Sequence, residues 1–151
     1  MRRPDIAWEA EVPEMSMISR AVSVVIEQPF DDVYSFLADP RNYASWGPVA
    51  GVDIHYLQGG DWLADLPRGP QIIRFAAPNL QGVLDYTMFG PGEPPGLPIS
   101  MRLVPIAGGC ELHMIWRQRP GTDAAQFETE LSSIASYFGR LKALLEADPA
   151  P

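Results

Sequence analysis

Asp85 and Tyr86 are the two residues of this chain best suited to chemistry on a small molecule. A carboxylate in an apolar cavity can act as a general base, and a tyrosine hydroxyl can donate a hydrogen bond to a ligand carbonyl group. Because the two residues are neighbours in a predicted strand, their side chains point to opposite faces unless a bulge intervenes. We therefore expect Tyr86 to line the cavity, and Asp85 to pair outside it with a basic residue such as Arg102 or Arg117.

The two histidines, His55 and His113, and the single cysteine, Cys110, carry less information about chemistry. A metal site of two histidines and one carboxylate requires both imidazoles near that carboxylate, and the sequence shows no matching cluster. His113 alternates with Met114 along a predicted strand and is expected to face outward. Cys110 follows a glycine turn without an adjacent base, which predicts an inert thiol. We expect neither a metal nor an organic cofactor.

Strand alternation predicts which side chains face the interior. Methionine and aromatic residues dominate this inward set, and they suit an adaptable apolar ligand site. The same residues could instead fill a solid core, and the sequence leaves both possibilities open. The predicted lining is Phe75, Tyr86, Met88, Met101, Met114 and Trp116 on strands, facing Phe127, Leu131 and Phe138 on a helix. Asp39 and Arg74 are secondary candidates at the cavity mouth, and Trp46 is expected to pack as a lid.

The elements that position these residues follow from hydrophobic periodicity and turn signals. A short helix is predicted to begin at Pro29 and stop at Asp39-Pro40, with a second helical turn over 42–46. A long helix capped by Thr122 is predicted to run to Glu146, with an apolar stripe spaced by threes and fours. Seven predicted strands fit one curved antiparallel sheet. They span 18–26, 52–57, 62–66, 71–77, 81–89, 97–106 and 110–119.

Three segments of the chain resemble the START-like (SRPBCC) helix-grip superfamily, in particular its polyketide cyclase/dehydrase-like branch. They are the strand–proline–helix opening over 22–46, the GVLDY strand at 82–86, and the RPG junction at 119–121 with the LKALL helix end at 141–145. The resemblance covers 17–148. It implies an α+β fold in which a curved seven-stranded antiparallel sheet surrounds a long C-terminal helix, with two short helices after the first strand and an apolar cavity inside. Relatives often have a histidine at the position that Tyr86 occupies here. Any role proposed for that histidine therefore cannot be assigned to this chain.

Composition and charge narrow the class of partner. At 151 residues the chain has the length of one domain, here divided into an extension over 1–16, a domain over 17–148 and a tail over 149–151. The formal net charge of −8, with scattered basic residues, argues against nucleic acid and anionic membrane surfaces. No segment approaches the ~18 apolar residues of a membrane helix. A single cysteine favours a cytoplasmic protein, and a homodimer through an edge strand or the extension is a further expectation.

Three functions are consistent with these features. The first is binding of a small hydrophobic or aromatic molecule in an internal cavity, which predicts a volume of roughly 300 Å³ or more. The second is a cofactor-independent enzyme of the cyclase or dehydratase kind, in which Asp85 or Tyr86 acts as acid or base. The third is a cochaperone-like module that binds a protein partner, which an exposed apolar patch of roughly several hundred Å² would favour.

Overall fold

The computed structural model describes residues 18–47 and 51–147, which form seven strands and three helices. The predicted extension, Met17 and the predicted tail after Asp148 therefore lie outside the described residues. The strands are β1 (Ser19–Ile26), β2 (Ile54–Tyr56), β3 (Asp61–Leu66), β4 (Gly69–Phe75), β5 (Tyr86–Phe89), β6 (Ser100–Ile106) and β7 (Gly109–Arg117). The helices are α1 (Phe30–Ala38), α2 (Tyr43–Trp46) and α3 (Ala124–Glu146), and a 3-10 turn (Pro40–Asn42) joins the first two.

The strands form two antiparallel sheets, and this corrects the prediction of one curved seven-stranded sheet. One sheet has the order β1-β7-β6 and the other β2-β3-β4-β5, and neither is closed. The segment before β5 connects the two sheets through separate main-chain hydrogen bonds rather than a regular strand. Leu103 N donates to Gly82 O and Leu84 N donates to Met101 O, both at 2.9 Å. Gly82 has a φ of +73°, and a Cβ there would lie 2.0 Å from Leu103 O. A regular strand therefore does not continue through this position.

Several element boundaries differ from the sequence-based predictions. The strand predicted over 81–89 is regular only from Tyr86, and the strand predicted over 52–57 is reduced to Ile54–Tyr56. Pro29 is the residue before α1 rather than its first residue. Asp123, rather than Thr122, caps α3, because its Oδ1 accepts a hydrogen bond from Gln126 N at 2.8 Å. A carboxylate in this position satisfies a free helical N–H and complements the helix dipole.

Helix α3 packs its apolar stripe against the inner faces of the strands. Phe127, Ile134, Phe138 and Leu141 are buried, whereas Leu131 is only half-buried. The facing strands contribute a core that includes Leu103, Leu112 and Met114, all essentially inaccessible to solvent. Among the described residues, no helix combines the length and the apolar character needed to cross a bilayer. The fold is thus α+β, with antiparallel sheets and a long C-terminal helix.

Candidate functional site

A small interior cavity lies where the two sheets meet the ends of α1 and α2. Its volume is about 10 Å³, close to the space that one water molecule requires. Among the described residues this interior cavity is therefore far smaller than the roughly 300 Å³ expected for a preformed ligand site. Aromatic side chains occupy the space instead. The lining consists of Leu37, Ala38, Tyr43, Trp46, Phe75, Ala76, Leu84, Tyr86 and Met101.

The single-turn helix α2 carries two of the aromatic side chains on this cavity. Tyr43 and Trp46 are three residues apart, so they project from the same face of the helix. The chain reverses before α2 because Asp39 cannot continue α1 ahead of Pro40, and the carboxylate of Asp39 accepts a hydrogen bond from Arg41 N at 3.0 Å. Asn42 Nδ2 donates to Phe36 O at 3.0 Å. These contacts fix the angle at which α2 covers the interior.

Tyr43 is the centre of an aromatic cluster that closes the cavity. Its ring meets the rings of Trp46, Phe75 and Tyr86 edge to face, with centroid distances of 5.7, 6.1 and 6.5 Å. Such geometry is favourable for aromatic pairs. Trp46 in turn lies 6.3 Å from the ring of Tyr137 on α3. The cluster therefore connects α2, β4, β5 and α3 around one interior space.

Two donors in this cluster, the Tyr43 hydroxyl and Trp46 Nε1, are buried without a hydrogen-bond partner among the described residues. Both side chains are only 2% exposed. Buried polar atoms in folded proteins nearly always have a partner, so each exception requires an explanation. The Tyr137 hydroxyl differs, because it donates to Met114 Sδ at 3.8 Å. The unpartnered polar atoms are therefore on the α2 side of the interior.

All three buried tyrosines remain protonated near neutral pH. Burial raises the pKa of Tyr86 well above its ordinary value, and the neighbouring Tyr43 and Tyr137 hydroxyls raise that pKa further. Burial is also the main cause that raises the pKa of Tyr43 and of Tyr137. A phenol in this state donates a hydrogen bond or a proton, but it does not act as a general base. The interior is therefore a site of neutral donors.

Asp85 lies outside the cavity and connects the two sheets. Its Oδ1 accepts a hydrogen bond from Met101 N at 2.9 Å, and its carboxylate pairs with Arg102 at 3.4 Å. The main-chain oxygen of Asp85 accepts from Ala76 N at 2.8 Å on the other side. The expected pairing with Arg102 is thus observed. In this arrangement the carboxylate replaces a main-chain acceptor at the irregular junction and does not reach the interior.

Three of the nine residues predicted to bind a ligand line the cavity, namely Phe75, Tyr86 and Met101. Met114, Phe127 and Phe138 are buried in the core away from it, and Met88 is half-buried. Trp116 donates from Nε1 to Glu130 at 2.9 Å, and Leu131 lines an open surface groove beside β1. The prediction placed Phe127, Leu131 and Phe138 of α3 in the lining, whereas the residues that line the interior cavity do not include any from α3 among the described residues.

The other candidate residues lie at the surface or in the core. Arg74 pairs with Asp61 at 2.8 Å, Asp39 pairs with Arg41 at 2.7 Å, and His113 pairs with Glu111. Cys110 is fully buried, and burial raises the pKa of its thiol.

One group of possible metal ligands was not recognised in the sequence. The side chains of Asp53, His55 and Asp65 offer ligand atoms within 4.8 Å of one another on the hairpin of β2 and β3. All three residues are exposed, and exposed acidic groups often gather in this way without an ion. The group lies outside the interior cavity.

Sequence reasoning missed Tyr43 and Tyr137 and treated Trp46 only as a lid. A usable signal was present, because Tyr43 and Trp46 have helical spacing immediately after the Asp39-Pro40 stop. Tyr137 gave no comparable signal. It lies next to Phe138, outside the apolar stripe that defined the buried face of α3.

Comparison with known proteins identifies the fold and nothing finer. No family model and no curated protein matches the chain. Among solved structures, the Aha1 dimer from Colwellia psychrerythraea is similar at a TM-score of 0.68 and 16% identity, covering 89% of this chain and 100% of the other. Protein BH1534 from Bacillus halodurans has a TM-score of 0.67 and 16% identity, covering 87% and 100%.

DynU16, a protein of the dynemicin biosynthetic locus, is a third similar structure. Its TM-score is 0.63 and its identity 21%, and the match covers 85% of this chain. This chain spans about half of DynU16, since the match covers 47% of that protein. At these identities the similarity concerns the fold alone.

Proposed function

We propose that this protein binds a small hydrophobic or aromatic molecule in the interior beside α2. The observation that carries the proposal is the lining of the cavity, in which all the described residues are apolar or aromatic and come from both sheets and both short helices. Ligand sites are commonly apolar and lie where several elements meet. The partly buried ring of Phe75 and the flexible side chain of Met101 suit such a site, because methionine adapts to differently shaped ligands.

A ligand must enlarge this interior, because the space of about 10 Å³ accommodates no organic molecule. Helix α2 is the part of the lining best able to yield. It has four residues, and an isolated helix of this length is not stable by itself. Its position depends on contacts with the core and on a few hydrogen bonds. We expect the bound state to differ from the closed state mainly at Tyr43 and Trp46.

The fold comparisons support this proposal as an analogy. The order of elements, with β1 beside β7 and a long C-terminal helix, is compatible with a START-like helix grip of the polyketide cyclase-like kind. One similar structure belongs to the dynemicin biosynthetic locus. A fold of this type accommodates binders and enzymes alike, so the residues of the site carry the functional argument.

The test is a titration of the isotope-labelled protein with α-methylstyrene, a small aromatic hydrocarbon. We expect saturable shifts of backbone amide signals clustered around α2, β4 and β5. Ala38→Leu should weaken binding, because the added carbons occupy part of the lined space, whereas Ala143→Leu on the exposed face of α3 should leave binding unchanged. Shifts scattered over the surface, or equal effects of the two variants, would contradict binding in the interior.

A second candidate is a cofactor-independent cyclase or dehydratase-like enzyme. The observation that favours it is the cluster of protonated phenols, since a donor such as Tyr86 can stabilise negative charge that develops on a carbonyl oxygen. Asp85 would have no direct part, because its carboxylate is bound to Met101 N and Arg102. If turnover of an aromatic ketone is found, Tyr86→Phe should lower kcat with little change in KM. An unchanged kcat would assign Tyr86 to packing.

A protein-binding module receives less support from the described surface. The outward face of β1, β7 and β6 mixes Val25, Val104 and Ile115 with the charged side chains of Glu111 and Arg102. On this face the charged side chain of Glu111 lies between Val25 and Val104. Homodimerisation stays a separate prediction, for which one similar structure, the Aha1 dimer, is an analogy. Native mass spectrometry measures the oligomeric state directly.

A further inference from the structure

We propose that the molecule bound beside α2 presents a neutral hydrogen-bond acceptor, such as a ketone, ester or quinone carbonyl oxygen, to the Tyr43 hydroxyl and to Trp46 Nε1. This inference rests on the proposed function and specifies the chemical class of the ligand. It concerns two residues that the sequence analysis did not assign to recognition.

The burial of the two donors is the first step of the argument. Tyr43 and Trp46 are each 2% exposed, and neither polar atom meets an acceptor among the described residues. A buried donor left without an acceptor destabilises the folded protein. Phenylalanine in place of Tyr43 would keep the ring contacts with Trp46, Phe75 and Tyr86, so these contacts do not require the hydroxyl. A ligand that supplies the acceptor explains both donors at once.

The position of the donors is the second step. Both side chains line the same cavity, and their rings meet edge to face at 5.7 Å. The neighbouring donor, the Tyr137 hydroxyl, is already bound to Met114 Sδ. The two donors without partners therefore lie together on α2, and the rest of the lining is apolar except for the protonated phenol of Tyr86. An aromatic or aliphatic body would lie against Phe75, Leu84 and Met101 while its oxygen points to α2.

The charge of the site is the third step and excludes an anionic ligand group. Within 18–47 and 51–147, no charged side chain lines the cavity. The guanidinium of Arg140 does not line the cavity, and it donates to Gly47 O at the end of α2 at 3.1 Å. A carboxylate in the interior would be desolvated without a counter-charge, which is strongly unfavourable. A neutral carbonyl oxygen accepts the same two hydrogen bonds without that penalty.

The test compares acetophenone with α-methylstyrene, in which a methylene group replaces the carbonyl oxygen at nearly constant shape. Affinities are measured by nuclear magnetic resonance titration on the full chain. We expect the wild-type protein to bind acetophenone about tenfold more tightly than α-methylstyrene, which is the effect of roughly one well-formed hydrogen bond. Tyr43→Phe should remove most of this preference, measured as the ratio of the two affinities, whereas Ala143→Leu on the exposed face of α3 should leave that ratio unchanged.

The indole N–H signals provide a second measurement. Comparison with Trp46→Phe assigns the Trp46 signal among the four tryptophans of the chain. We expect this signal to move downfield with acetophenone and to move little with α-methylstyrene. A near-ultraviolet circular dichroism spectrum of Tyr43→Phe confirms that the variant keeps the native packing, so that lost preference is not misread as unfolding.

The possible failures are distinguishable. If neither probe binds, and a high-resolution crystal structure shows a water molecule bonded to both donors, the proposed function and this inference both fail. If both probes bind with equal affinity, and Tyr43→Phe changes neither, binding in the interior stands and the acceptor inference is overturned. If acetophenone is preferred but Tyr43→Phe retains the preference, recognition occurs elsewhere and the assignment to α2 is wrong.

Discussion

Arg140 Nη2 donates a hydrogen bond to the carbonyl oxygen of Gly47 at 3.1 Å, and this bond connects the C-terminal half of α3 to the end of α2. Helix α2 has one turn, so its position is set by such tertiary contacts and not by helix propensity. Position 47 also leaves no room for a side chain, because a Cβ there would lie 2.7 Å from Tyr43 O and 3.0 Å from Tyr43 Cζ.

Arg140→Met should weaken the attachment of α2 to α3. We expect the free energy of unfolding to fall by about 1 kcal/mol, since one partly exposed hydrogen bond from a charged donor is lost. Urea unfolding measures this change, and amide exchange at Gly47 should become faster than in the wild type. Arg68→Met, in the exposed turn between β3 and β4, is the matched control and should change neither quantity. An equal effect of both variants would show that Arg140 has no specific role in holding α2 against α3.

Tyr43→Phe should stabilise the unliganded protein. The variant removes a buried hydroxyl that has no partner among the described residues, and relief of that penalty is worth about 1 kcal/mol or more. Tyr34→Phe makes the same chemical change with the opposite expected sign, because the Tyr34 hydroxyl accepts a hydrogen bond from Asn79 N at 2.9 Å. In thermal and urea unfolding, the midpoint should therefore be higher than that of the wild type for Tyr43→Phe and lower for Tyr34→Phe. Destabilisation by Tyr43→Phe would indicate that its hydroxyl is satisfied in the unliganded protein.

Asp85 is expected to act on stability through the junction between the sheets. Asp85→Ala should lower the free energy of unfolding by about 1–2 kcal/mol, because Met101 N–H loses its acceptor in a partly buried position. Asp85→Asn keeps an oxygen in this position, so we expect a smaller loss. Neither variant should alter the affinity for α-methylstyrene. A large loss of binding or of turnover in Asp85→Asn, with stability retained, would show that this carboxylate has a direct role in the site.

Glu130 should make the stability of the protein dependent on acid pH. Burial raises the pKa of its carboxyl group, but hydrogen bonds from Trp116 and Arg119 outweigh burial and hold the pKa below its ordinary value. A lowered pKa in the folded state contributes stability above the ordinary value of 4.5, and this contribution is lost as the pH falls through the folded-state pKa. We expect urea midpoints of Glu130→Gln to fall less steeply with acidification than those of the wild type. Glu128→Gln, exposed on the same helix, should behave like the wild type.

The class and order of elements were predictable because each had a strong local signal. The stripe of Phe127, Ile134, Phe138 and Leu141 has helical period, and the Asp39-Pro40 pair ends α1. The antiparallel arrangement of seven strands followed from turn signals and alternation. The choice between Asp123 and Thr122 as the cap of α3 was not decided by local sequence, since both residue types are good caps.

The junction at Gly82 and Asp85 was not predictable, because it depends on contacts across the sheets. Alternation assigned Tyr86 inward and Asp85 outward correctly. It gave no indication that the Asp85 side chain bonds the main chain of β6. The volume of the cavity could not be predicted from the sequence either, since tertiary packing sets how closely Tyr43, Phe75 and Tyr86 approach one another. Aromatic residues that predicted a pocket instead fill most of it.

The single cysteine has a practical consequence. Cys110 is fully buried, and its thiol lies against Ile26 O at 3.8 Å, so thiol reagents have no access to it while the protein remains folded. The native chain is therefore a background in which one added cysteine would be the sole reactive group. A nitroxide or fluorophore attached through Ser45→Cys, exposed on α2, would report the displacement of this helix without any need to replace the native thiol.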